Sequence, residues 1–155
     1  MIDFELVSKT ILFLIVLTPL WHKSPAGLFM SFSFGLSYLI FHLIDPYLSD
    51  VAYYVTAALF DLLLVYLIGA VRPITKMAIT LQRCCLASIL VNLLGFMCWY
   101  LYLSATTYNI LLTLVHLCIA VSLWRGGRNG FTNNHRDRVF RFDFRSGILS
   151  ACKGL

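Results

Sequence analysis

The chain has 155 residues, 60% of them hydrophobic and only 12% charged, about half the charge density of an average soluble domain. Its mean hydropathy is +0.84, and apolar runs follow one another along most of its length, which excludes a water-soluble globule and leaves no room for a separate soluble catalytic domain. The net charge of +5 is not spread evenly. Residues 1–124 carry five basic and five acidic side chains, whereas residues 125–155 carry seven Lys and Arg against Asp137 and Asp143.

Five apolar segments are predicted as transmembrane helices: Leu6 to Trp21, Ala26 to Ile44, Val51 to Val71, Cys84 to Ser104 and Thr107 to Trp124. The expected fold is therefore an all-α integral membrane bundle over 1–124 with a short basic cytoplasmic tail over 125–155. The first segment is short and holds Lys9 and Pro19, so a four-span arrangement with this segment lying in the interface is the alternative. Asp3 and Glu5 stand where a signal peptide would carry positive charge, which argues against cleavage.

Charge orients the segments. His22 and Lys23 follow the first, Asp45 and Asp50 the second, Arg72, Lys76 and Arg83 the third, no charge the fourth, and the Arg-rich tail the fifth. Every odd connection is basic, so the positive-inside rule places the N-terminus outside and the tail in the cytoplasm. Tyr47, Tyr53, Tyr54, Trp99, Tyr100, Tyr102, Tyr108 and Trp124 cluster near segment ends, as interfacial aromatics do.

Polar residues inside the segments mark candidate sites. Asp61 sits at the middle of the third segment, where a carboxyl in hydrocarbon costs roughly 2.5 to 3.5 kcal/mol on insertion scales. Asn92 and His116 lie near the centres of the fourth and fifth, so a midplane polar cluster of Asp61, Asn92 and His116 is feasible. Such a cluster either holds the bundle together through interhelical hydrogen bonds or serves a proton or ion path. Gly27, Ser31 and Gly35 recur every four residues on the second segment, and Ser88 and Gly95 share a face of the fourth with Cys85, Asn92 and Trp99; both stripes permit close helix approach, within one chain or between copies.

Beyond Trp124 the run Arg125-Gly-Gly-Arg-Asn-Gly130 reads as a flexible exit. In the stretch that follows, Phe140, Phe142 and Phe144 alternate with Arg141, Asp143 and Arg145, which suits a short strand or an extended segment on the membrane. Arg136, Arg138, Phe140, Arg141, Phe142, Phe144 and Arg145 are the expected contacts to lipid or a partner, with anionic headgroups favoured over nucleic acid because a juxtamembrane basic tail suits them directly. The five cysteines are odd in number and lack C-x-x-C or zinc-finger spacing, so neither a disulfide framework nor a metal site is expected. Cys152-Lys-Gly-Leu155 lacks the two aliphatic residues of a prenylation signal. No nucleophile elbow, metalloprotease motif, P-loop or dinucleotide fingerprint is present, and neither enzymatic activity nor a cofactor is expected.

These features resemble, in architecture alone, the small holins of phages and viral channels: compact, polytopic, and carrying packing stripes and a charged tail. The resemblance implies an oligomerising, non-catalytic protein of the cytoplasmic (inner or host cell) membrane that alters permeability. The alternative is an accessory, immunity or exclusion factor that docks on a larger membrane protein.

Overall fold

A computed structural model of the chain describes residues 4–22, 24–72, 75–129 and 141–142. Helix α1 (Phe4–Leu17) runs into a 3-10 turn at Thr18–Trp21, because Pro19 has no N–H with which to continue the α-helical ladder. Ser24 restarts the chain by accepting a hydrogen bond from Gly27 N at 3.1 Å, with Pro25 in the first turn, and α2 (Pro25–Ile44) follows. A second 3-10 turn, Asp45–Tyr47, contains Pro46 and leads to α3 (Asp50–Gly69).

Helix α4 (Lys76–Tyr100) begins eight residues before the predicted fourth segment. The Thr75 side chain caps it by accepting from Ala78 N at 3.0 Å, and Ala78 and Leu81 are buried, so the first two turns are held by packing although they carry Lys76 and Arg83. Helix α5 (Thr106–Asn129) likewise passes the predicted end at Trp124. The glycine-rich stretch expected to be a flexible exit is helical to Asn129. Gly126 lies directly beneath the Met77 side chain of α4, which a larger residue would displace.

Four helices, Pro25–Tyr47, Asp50–Gly69, Lys76–Tyr100 and Thr106–Gly126, are long and apolar enough to cross a membrane, and the first apolar helix, Lys9–Trp21, is shorter. Each helix packs on the next in sequence, and α5 packs back on α1, so the five close a ring in which α2 also touches α5. One end of this ring gathers the N-termini of α1, α3 and α5 with the C-termini of α2 and α4; we call it the Asp45 end. There the Trp99 indole N–H donates to Asp50 at 3.1 Å. At the opposite end Trp21 and Trp124 stack with centroids 4.8 Å apart.

Two residues beyond α3, Val71–Arg72 (β1), pair antiparallel with Arg141–Phe142 (β2), so Val71 faces Phe142 and Arg72 faces Arg141. Among the possibilities raised by the alternating tail, the described pair therefore forms a strand.

The exterior is apolar on every helix: Phe13, Leu39, Leu62, Leu90 and Leu117 all face outward. A helix that is hydrophobic all round suits lipid better than water. The apolar core fills the half of the bundle away from the Asp45 end and contains Ile15, Met30, Phe34, Ile68, Leu81 and Leu123. His22, read with Lys23 as a basic connection, is buried, and that burial pushes its imidazole below the ordinary value. Burial disfavours its charged form, so Lys23, which lies outside the described residues, is the main basic group of this connection.

Candidate functional site

The half of the ring nearer the Asp45 end is not filled. It encloses a cavity of about 430 Å³ lined by residues from all five helices. Exposed Lys9 of α1, His42 of α2 and Asn109 of α5 stand at its rim, beside Asp45. Its floor is formed near mid-bundle by Asp61, Ser88 and His116, with Leu64 marking the start of the apolar core.

At the floor, three helices meet through side-chain hydrogen bonds. Asn92 Nδ2 of α4 donates to Asp61 Oδ2 of α3 at 3.2 Å, and the Tyr108 hydroxyl of α5 donates to Asn92 Oδ1 at 3.2 Å. The Ser88 hydroxyl also hydrogen-bonds the Asp61 carboxyl. Asp61 is 6% exposed, and both of its hydrogen-bond partners are neutral.

Helical phase explains the meeting. Ser88 and Asn92 are one turn apart on α4, and Asp61 lies about 16 Å along α3 from the Asp45 end at 1.5 Å per residue. Because α3 and α4 run antiparallel, residues at the middle of each are level.

His116 lines the same cavity but makes no hydrogen bond to Asp61. Its ring meets Tyr38 of α2 edge to face at 5.1 Å, and both its Nδ1 and the Tyr38 hydroxyl are buried without a hydrogen-bond partner. Rings form much of the wall: Phe41 packs edge to face on Tyr53 at 5.3 Å and on Phe60 at 6.0 Å.

The packing residues separate into two groups. Gly27, Ser31 and Gly35 turn toward α1 and its 3-10 turn within the same chain. Gly27 lies against the His22 ring, and a Cβ on Gly35 would come 3.5 Å from the Val16 backbone. Ser31 is buried and its hydroxyl has no partner. This stripe is therefore covered and does not face a second copy. Gly95 admits the rings of Tyr108 and Tyr54, which lie 2.5 Å and 2.6 Å from where its Cβ would be. Ser88, read as a packing residue, faces the carboxyl and the cavity instead. Of the tail residues, Arg141 and Phe142 have their backbone in β2, while Arg136, Arg138, Phe140, Phe144 and Arg145 lie outside the described residues.

Two site residues escaped the sequence reading. Tyr108 was read as an interfacial aromatic but is buried and bonded to Asn92. Its spacing from Leu112 and His116, four and eight residues, was the available signal. Tyr38 lies four residues before His42 and seven after Ser31, on the same side of α2. Among the described residues no group of His, Cys, Asp and Glu is placed to hold a metal ion. No protein family, curated protein or solved structure matches this chain.

Proposed function

We propose that the chain is a non-catalytic integral membrane protein that alters the permeability of its membrane through the interior of its own bundle. The observation that carries this reading is the cavity enclosed by all five helices, with polar side chains at its rim and floor, running from exposed residues at the Asp45 end to the buried carboxyl of Asp61. Water-filled or ligand-filled cavities are where membrane proteins keep ionisable side chains at mid-bilayer depth. The charge alternation supports placing the Asp45 end outside and the tail in the cytoplasm. A small solute then enters from outside, and the apolar layer of Leu64, Ile68 and Leu123 acts as the barrier that must part for passage. The seven basic residues after Trp124 contact anionic headgroups of the cytoplasmic leaflet in this arrangement.

Coverage of the Gly27, Ser31 and Gly35 stripe by α1 supports a pathway within one chain over a pore between copies. It equally suits the second reading, a single accessory copy docked on a larger membrane protein. Two measurements separate them. A membrane-impermeant methanethiosulfonate added outside intact cells should label Thr113→Cys above the wild-type background, and induction of the protein should depolarise the cells. Labelling without depolarisation favours the accessory role, because a docking protein has no effect without its partner; absence of labelling overturns the externally reached cavity.

A further inference from the structure

We propose that the cavity binds a small organic ammonium ion, with its nitrogen on the Asp61 carboxylate and its carbon skeleton against the ring wall. The inference rests on the cavity being reached from solvent and names the chemistry of what enters. Asp61 is the acidic group at the floor, and its hydrogen-bond partners, Asn92 and Ser88, bring no positive charge to it. A cation reaching the floor completes that pairing, whereas an anion would be repelled at the same place.

The walls narrow the choice among cations. Tyr38, Phe41, Tyr53 and Phe60 present ring surfaces, which attract an organic ammonium through the ring quadrupole and cover its apolar part. Bare metal ions are usually held by several carboxylate, imidazole or thiolate ligands, and the described residues contain no group of three or more His, Cys, Asp and Glu placed to hold one. His116 is 8% exposed, and its unpartnered Nδ1 and the unpartnered Tyr38 hydroxyl border the cavity floor. Each is a buried polar atom that a ligand N–H or a ligand acceptor would satisfy. A volume of about 430 Å³ lies within the usual range for small-ligand pockets. The ammonium can belong to a free amine or to an ethanolamine headgroup.

The test uses the full chain in nanodiscs of phosphatidylglycerol, with phenethylammonium as probe and phenethyl alcohol as its neutral counterpart, read by calorimetry. The ammonium should bind at least tenfold more tightly than the alcohol. Asp61→Asn should remove that preference while keeping the wild-type melting profile, and Phe60→Leu should weaken ammonium binding severalfold while retaining the preference. Adding phosphatidylethanolamine to the discs assigns the source: competition with the probe identifies the headgroup as occupant, and unchanged affinity identifies a free amine. Equal binding of amine and alcohol, binding of neither, or a preference that survives in Asp61→Asn overturns the proposal. If Thr113→Cys is labelled from outside and the amine preference is absent, only the ammonium assignment falls; if labelling also fails, the externally reached cavity falls with it.

Discussion

Two glycines read alike in the sequence occupy different environments. A methyl group on Gly35 would meet the Val16 backbone at 3.5 Å, an ordinary contact, while on Gly95 it would lie 2.5 Å and 2.6 Å from two tyrosine rings. Gly35→Ala should therefore leave thermal stability in detergent unchanged or raise it by up to ~1 kcal/mol through helix propensity. Gly95→Ala should lower it by about 1 to 3 kcal/mol, as overpacking does, because both rings are held between helices. His22 provides a pH-dependent test. Burial holds its imidazole below the ordinary value near 6.5, so protonation favours the unfolded chain, and this contribution to stability is complete above that pH and declines as pH falls below it. The melting temperature should drop between pH 7 and pH 5, and His22→Gln should show a smaller drop over the same interval.

Helix ends carry the next level of information. After Tyr100, the Leu103 N–H bonds to Cys98 O at 2.8 Å and the Tyr102 N–H to Trp99 O at 3.1 Å, a Schellman closure with Tyr102 in the left-handed position at φ 55°. Glycine normally fills that position because it has no Cβ to crowd the backbone. Tyr102 is 98% exposed, so its ring contributes no packing within the chain. Tyr102→Gly should raise stability in detergent by roughly 1 kcal/mol, measured by thermal melting. The alternation of helix ends carries a topological expectation as well. Reporter fusions after Lys76 and after Arg128 should score cytoplasmic, and fusions at Ser49 and Ala105 extracytoplasmic. A reversed result at any one of these connections contradicts the orientation derived from charge.

For the molecule as a whole, the proposed change in permeability depends on Asp61. Its carboxyl is buried against Asn92 and Ser88 at the floor of the cavity. Replacing it with Leu removes a polar group that is costly to place at membrane depth. Asp61→Leu should insert and melt at or above the wild-type temperature while abolishing depolarisation on induction. A variant that folds normally and still depolarises cells would remove Asp61 from the functional pathway.

The apolar segments and the basic tail were legible in composition and charge because hydrophobic length is a local property of the chain. That Asp61, Asn92 and His116 lie near the middle of their helices could likewise be read from their places within each segment. Other features depended on contacts between distant residues. Capping by Thr75 and the packing of Met77 over Gly126 extend α4 and α5 beyond their apolar runs, contacts that hydropathy does not register. Packing of α5 on α4 turned Tyr108 from an expected interfacial ring into a hydrogen-bond donor to Asn92, and packing of α1 on α2 covered the Gly27, Ser31 and Gly35 stripe inside one chain. The cavity itself arises where large side chains of one half of the ring fill space that Ser37, Ala57, Ser88 and their neighbours leave open in the other. A periodic pattern states which faces of a helix are alike; which helix each face meets is decided only when the ring closes.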